Sequence, residues 1–345
     1  MSLEIRAADY DADRLAIIDL VVRNLAPSYD EATFEWLYLS HPAGVARAWL
    51  AFDTVARQCI GLAAAFPRQL HVSGRLHRCW VLGDFCIDAG YRSLGPAMML
   101  QRRCLEEARQ CVALSYDFPS QEMLAVYKRM NVQESGRFCR FAKLLSVEGI
   151  VARVLPAPAI GRSLSALGNA LLSLGATLSR PGRGCEVVAF ESRFGEEFTI
   201  LDHEMHDRFK ICGSRSAAEL NWRYREHPRK HYEVLVASRG ARVLSYLVFR
   251  CEGNHAVLED IFGDPDEGSL RLLLTRLSDG LRRRGIQSIH AYALETGTLS
   301  SILGKVGFRR RESVPVVIIA GSRSGICSSA PDARNWFLTP GDRDS

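Results

Sequence analysis

No Cys-x-x-Cys pair occurs among the ten cysteines, which stand at 59, 79, 86, 104, 111, 139, 185, 212, 251 and 327. That removes the common zinc-ligand spacing, and the apolar runs around Cys86 and Cys104 suit free thiols acting as small hydrophobes. Reduced core cysteines in a cytoplasmic protein are therefore expected. The opening "MSLEIRAADYDADR" lacks the apolar segment of a secretory signal. Uninterrupted apolar runs of membrane-spanning length are also missing. The nearest, residues 160–178, is broken by Arg162, Asn169, serines and glycines, and burying those polar groups in lipid would be costly. A helix between domains is expected there; its leucines at helical spacing leave membrane-surface contact as the alternative. Charge of one sign is scarce too: 44 basic against 39 acidic residues leave +5, with no basic tract, so nucleic acid is not an expected partner. No Gly-Lys-Ser/Thr loop, dinucleotide fingerprint or Gly-x-Ser-x-Gly elbow is present. "HEMH", residues 203–206, lacks the spacing of a zinc-binding His-Glu-x-x-His, and no metal is expected.

What remains is 47% hydrophobic and 24% charged, ample apolar material to offset the entropy of ordering. "LEIRAA" reads as a strand, "DADRLAIIDLVVRNL" as a helix with Asp11 or Asp13 near its start, and "ATFEWLYLSH" as a further helical piece. Strands follow in "WLAFDTVARQCIGLAAAFPRQLHV" and "HRCWVLGDFCID". Then come a turn and helix over 91–108, the strand "CVALSYDFP", the helix "SQEMLAVYKRMN" and the strand "RFCRFAKLL". A second copy of this plan appears downstream. Trp36, Tyr38 and His41-Pro42 are echoed by Trp222, Tyr224 and His227-Pro228, and "VYKRMNV" by "ILGKVGF". The ordered succession indicates an internal duplication, with the echoed aromatics expected at core edges. The expected organisation is a domain over 1–150, a linker over 151–184, expected to be helical, a second domain over 185–321, and a poorly ordered tail over 322–345. Trp336-Phe337 could tack that tail to a domain surface.

The stretch "YRSLGPAMML" starts as a turn and becomes a helix. A helix start exposes unpaired N–H groups and the positive end of its dipole, which suits a pyrophosphate. Gly95 offers a turn without a Cβ and room for phosphates, Ala97 keeps the approach open, and Arg92 can add a charge-assisted bond. Pro96 has no N–H to offer. An ordinary helix start that binds nothing is the competing account.

Residues 92–97, Arg-Ser-Leu-Gly-Pro-Ala, after a strand and opening a helix, resemble the Arg/Gln-x-x-Gly-x-Gly/Ala signature of the GNAT superfamily of acyl-coenzyme-A-dependent N-acyltransferases. "Val126-Tyr127-Lys-Arg-Met-Asn131-Val132" resembles that superfamily's Tyr-x-x-x-Gly-Phe ending. The resemblance covers about residues 3–145, with a weaker likeness in the second half. It implies an α/β fold with a mixed sheet, two tandem GNAT-like domains joined by the linker, and acetyl- or another acyl-coenzyme A as co-substrate. The implied reaction is transfer of a short acyl group to the amine of a small molecule, amino acid or amino sugar. Phe85, Ile87, Arg92, Ser93, Leu94, Gly95, Pro96, Ala97 and Ser120 are implied to hold the carrier, Tyr127 to protonate the thiolate, and main-chain N–H groups of residues 83–87 to polarise the thioester.

Asp84 is the candidate base. Strand periodicity puts Asp84, Cys86 and Asp88 on one face and Phe85 and Ile87 on the other, without saying which face meets the cleft; Asp88 suits a cap for the next turn. A core tyrosine capped by water is the competing account of Tyr127, and a solvent charge that of Asp84. The sequence departs from the family pattern at Ser120, where Asn is common, at Asn131, where Gly is usual, and at Pro96. In the second half Asp264, Asp266 and Glu267 stand where a pyrophosphate would bind, and Leu303 stands opposite Tyr127. Carrier binding is expected only in the first half, with the second shaping the acceptor pocket. A coenzyme-A-binding sensor and a cell-envelope precursor aminoacyl transferase are the alternatives.

Overall fold

The structure is a computed structural model that describes residues 2–146, 184–265, 268–322, 330 and 332–343. The linker reading over 151–184 therefore falls, except for Gly184, outside the described residues, as do the 160–178 helix reading and the roles suggested for Asp266 and Glu267. No described helix is long and apolar enough to cross a membrane.

The first half runs β1 (Leu3–Ala7), α1 (Tyr10–Asn24), α2 (Glu31–Phe34) with a wider turn of helix at Glu35–Leu39, then β2 (Arg47–Asp53), β3 (Gln58–Val72) and β4 (Arg75–Ile87). It continues with α3 (Leu94–Cys111), β5 (Leu114–Asp117), α4 (Gln121–Arg129) and β6 (Gly136–Leu144). Its central strands are buried on both faces, so they read as near-continuous apolar runs. Along β2, Trp49 and Ala51 meet α3 and α4, while Leu50 meets α1 and α2. Asp11 and Asp13 stand in the first turn of α1, and the cap itself is Asp9, whose carboxylate accepts the Asp11 N–H. Asp13 instead takes both Arg6 guanidinium nitrogens at 2.6 and 2.8 Å, which ties α1 to β1.

The second half repeats the plan: β7 (Glu186–Ala189), α5 (Glu196–Met205), β8 (Ile211–Gly213), α6 (Ala217–Tyr224), β9 (Glu233–Arg239), β10 (Arg242–Glu252) and β11 (His255–Gly263). Then come α7 (Ser269–Arg283), β12 (Ser288–Leu294), α8 (Thr298–Lys305) and β13 (Arg309–Ala320). The echoed motif marks the join between the halves. Trp36 and Trp222 stack with centroids 4.5 Å apart and planes 8° apart. Each indole N–H donates to the other's backbone carbonyl, at 2.8 and 3.0 Å. His41 lies against Trp222 and His227 against Trp36, at 4.2 and 4.3 Å. This reciprocity is what two copies meeting across a pseudo-twofold axis produce.

The main sheet order is β1-β2-β3-β4-β5-β13-β6-β12-β11-β10-β9-β7. The closing strands are exchanged: β13 of the second half pairs with β5 of the first, and β6 of the first pairs with β12 of the second. One mixed sheet thus runs through both halves.

The tail also differs from its sequence reading. Trp336–Phe337 forms β14, which pairs in parallel with β8, and Leu338, Thr339 and Asp342 are buried. Polar groups from distant elements close on it. The Arg68 and Arg223 guanidiniums donate to the Arg343 carbonyl at 2.9 and 2.6 Å, and the Tyr116 hydroxyl donates to the Asp342 carbonyl at 2.7 Å. A composition of Gly, Ser, Pro and Asp looked loose because these partners all lie elsewhere in the chain.

Candidate active site

β4 and β5 pair in parallel only from Cys79↔Leu114 to Val81↔Tyr116. Beyond that register they part, and the gap becomes a cleft of about 650 Å³. One wall is Gly83, Phe85, Cys86 and Ile87 of β4; the other is Asp117, Phe118, Pro119, Ser120, Met123 and Val126. Arg92, Ser93, Leu94 and Ala97 stand at the mouth with Asn24 and Leu25. Of the residues singled out for the carrier, the cleft gathers Phe85, Ile87, Arg92, Ser93, Leu94, Ala97 and Ser120. Gly95 and Pro96 do not line it.

The mouth works differently from the sequence reading. The turn is made upstream, by a short helical turn at Ala89–Tyr91, so Gly95 lies inside α3 and has no positive φ. A Cβ on Gly95 would meet no atom within 4 Å, so its smallness leaves open space rather than permitting a bend. Pro96 is the third residue of α3 and is buried. A helix leaves its first N–H groups without internal partners, so proline there removes a donor from the mouth without breaking a helix bond. Ser93, Leu94 and Gly95 carry the N–H groups that remain at this end. The Arg92 Nε donates to the Ile87 carbonyl at 3.1 Å and one Nη to Asn24 Oδ1 at 3.3 Å. Asp88 does not cap the following turn with its side chain; it accepts from Arg23 and Asn24, each at 2.7 Å. This network clamps the end of α1 to the end of β4 and holds Arg92 at the opening.

Asp84 sits on a bulge. The β3 pairing skips between Leu62↔Cys86 and Ala64↔Gly83, and Asp84 has φ +44°. Beyond the bulge alternation holds: the Asp84 carboxylate accepts the Tyr38 hydroxyl at 2.8 Å and the Cys86 thiol turns to the Leu20 carbonyl of α1, while Phe85 and Ile87 pack on the α3 side and border the cleft. Burial, and then the charge of Asp84, hold the Tyr38 phenol well above its ordinary value. Asp84 thus belongs to the α1–α2 side of the strand, opposite α3.

Tyr127 is not brought into the cleft. It is 0% exposed, its hydroxyl donates to Asp117 Oδ2 at 2.6 Å, and it accepts from Gln101 Nε2 at 3.0 Å. Burial, and then the Asp117 carboxylate, raise the phenol well above its usual range. Sequence reasoning missed Asp117, whose position carries no motif; its only signal was a carboxylate ending a strand beside the expected cleft. Ser120 caps α4, accepting the Met123 N–H at 3.2 Å. Asn131 has φ +56° and its counterpart Gly307 +91°, so asparagine fills a left-handed position that glycine fills in the other copy.

In the second half β11 and β12 also part after a short parallel pairing, from His255↔Ser288 to Val257↔His290. There Asp264 accepts from Arg208 at 3.0 Å, and α7 starts after Gly268 at φ +75°. Among the described residues no group of His, Cys, Asp and Glu side chains is arranged to hold a metal ion.

No family model matches the sequence, and no curated protein matches it. Solved structures do. A conserved protein of unknown function from Enterococcus faecalis V583 superposes with a TM-score of 0.65 at 14% identity, over 93% of this chain and 73% of its own. A GCN5-related N-acetyltransferase from Anabaena variabilis gives 0.64 at 11% identity over 92% and 72%. One from Kribbella flavida gives 0.62 at 12% identity over 92% and 71%. Across nearly its whole length, the chain has the fold of the GCN5-related N-acetyltransferases.

Proposed function

We propose that the protein is an N-acyltransferase that moves an acetyl or other short acyl group from coenzyme A to the amine of a small molecule, amino acid or amino sugar. The observation that carries the reading is the parting of β4 from β5 with the start of α3 at its mouth. Strand edges that separate leave main-chain N–H and C=O groups for an extended amide-bearing chain such as pantetheine. The helix start offers the N–H groups of Ser93, Leu94 and Gly95 to a diphosphate, and Arg92 has further N–H donors beyond the two it uses. A second hollow bordered by Asp53, Gly90, Tyr91, Arg92 and Ser93 continues the mouth outward, which suits the carrier's nucleotide end. The carrier is a co-substrate here, and no metal enters the proposal.

Only the first half is proposed to bind the carrier; Asp264 and the left-handed Gly268 stand where Arg92 and its neighbours stand in the first. The second half closes the sheet through β13, which pairs with β5, and is proposed to shape the acceptor pocket. A coenzyme-A sensor with little catalysis is the second reading, favoured by the burial of Tyr127 away from the cleft.

Calorimetric titration with acetyl-coenzyme A, for the natural protein and Arg92→Glu, tests the binding claim. Charge reversal that leaves affinity unchanged overturns it. Release of free thiol in the presence of primary amines then separates enzyme from sensor.

A further inference from the structure

We infer that Asp117 is the proton-handling carboxylate of this cleft, with Tyr127 and Gln101 as the residues that position it. The inference rests on the acyltransferase reading above.

The groups near the cleft sort by geometry. Tyr127 has one hydroxyl proton, and it points to Asp117 at 2.6 Å; its oxygen already receives Gln101. With no exposed surface, it offers nothing directly to a bound thioester. Asp84 is turned to Tyr38 on the far side of β4. The Cys86 thiol turns to the Leu20 carbonyl of α1 and is pushed up to about 12 by burial, so a thiolate route through it is closed. Exposed Glu122 is held below its usual range by its own backbone N–H and the Ser120 hydroxyl. Asp117 alone of these both borders the cleft and is anchored from behind by a buried donor. It ends β5 where the two strands separate, within the opened cleft itself.

The step balances with that one carboxylate. An ammonium acceptor gives a proton to Asp117 and attacks the thioester carbon, forming the C–N bond. The C–S bond breaks with its electron pair staying on sulfur, and Asp117 returns the proton to that thiolate. The second ammonium proton leaves to water, so ammonium plus thioester become amide, thiol and one proton. Because the carboxyl is neutral while the thiolate forms, the two do not repel each other. Tyr127 fixes the carboxylate's direction and favours its ionised form by donating to it.

The test uses the full chain and the variants Asp117→Asn and Tyr127→Phe. Acetyl-coenzyme A affinity is read by calorimetry, and thiol release with ethylamine, benzylamine and lysine from about pH 5 to about pH 9. Asp117→Asn should retain acetyl-coenzyme A affinity, lower turnover about 100-fold or more, and lose the acidic limb of the rate profile. Tyr127→Phe should lower turnover less and move that limb to higher pH, which loss of packing alone would not do. Turnover of Asp117→Asn within about threefold of the natural protein overturns the inference and leaves the reading standing. Acetyl-coenzyme A binding without turnover by the natural protein also overturns it. No acetyl-coenzyme A binding by the natural protein overturns the acyltransferase reading itself.

Discussion

Replacing Asp84 in turn by asparagine, glycine and alanine separates the two things that residue does. Its φ of +44° lies in the left-handed region, which asparagine tolerates and alanine resists by about 1–2 kcal/mol. Its carboxylate also accepts the buried Tyr38 hydroxyl at 2.8 Å, a bond to a charged group worth about 1.5–3 kcal/mol. Asparagine keeps the backbone and an acceptor, so its cost should be about 1 kcal/mol. Glycine loses the acceptor but relaxes the bulge, whereas alanine loses the acceptor and strains the bulge further. Alanine should therefore be less stable than glycine by about 1 kcal/mol, read as a difference in urea midpoints at constant slope. In a regular strand the order reverses, because glycine there is destabilising by roughly 0.5–1 kcal/mol relative to alanine. An alanine variant as stable as the glycine variant would refute the locked bulge, and with it the claim that Asp84 is turned from the cleft by backbone geometry.

Gly95→Ala should raise stability by up to about 1 kcal/mol in thermal unfolding, since it sits within α3 in open space, yet weaken acetyl-coenzyme A binding; unchanged affinity would remove the phosphates from that end of the helix. His41 is neutral and buried, its Nδ1 accepting the Ala43 N–H at 2.9 Å and its Nε2 3.0 Å from Glu219, with its value lowered from 6.5 to about 4 by burial first and then by Arg68. The unfolded chain takes up that proton below about pH 6.5 and the folded chain only below about 4, so stability should fall as pH drops through this window, by about 3 kcal/mol; denaturation of His41→Asn should show a flatter slope there. Arg215 donates to Asp342 at 2.7 Å and lies 3.4 Å from Asp260, all three buried. Arg215→Ala should cost about 3–5 kcal/mol by stranding two carboxylates, and a loss under about 1 kcal/mol in urea unfolding would contradict that ion cluster.

Most elements were legible because their signals are local. The two-sided burial of β2 and β3 shows as apolar runs, and α3 shows Leu100, Cys104 and Ala108 at helical spacing. The duplication was legible through Trp36 and Trp222, though nothing in either motif said that the two indoles stack on each other. The exchanged strands were not legible: "RFCRFAKLL" and "VPVVIIAG" announce strands but not neighbours, and pairing is decided by shape far along the chain. Which face of the Asp84 stretch meets the cleft was not legible, for a different reason. Period-2 reasoning groups Asp84 with Cys86 and Asp88, as the structure does, but the extra residue at Asp84 reverses that face relative to Trp80 and Leu82, and no local signal marks it. Tyr127 matched a motif whose usual role needs an exposed hydroxyl, and exposure is set by Gln101 and Asp117, on α3 and at the end of β5.

The duplication also explains why the two copies need not share a task. Asp84 and Asp260 occupy matching places on β4 and β11, each four residues before another aspartate. Asp84 accepts from the Tyr38 phenol on a strained bulge at the edge of an opened cleft. Asp260 accepts from Tyr246 at 2.8 Å and from Thr339 at 2.8 Å, and lies against Arg215. Thr339 and the Asp342 that shares Arg215 both come from the C-terminal segment, which reaches this place only because it lies along β8. The carboxylate that borders an opened strand in one copy is, in the other, part of an ion cluster that fastens the chain's last described residues. Removing Asp260 should thus register in unfolding and removing Asp117 in turnover. The reverse pattern would mean that the second half, rather than the first, carries the chemistry.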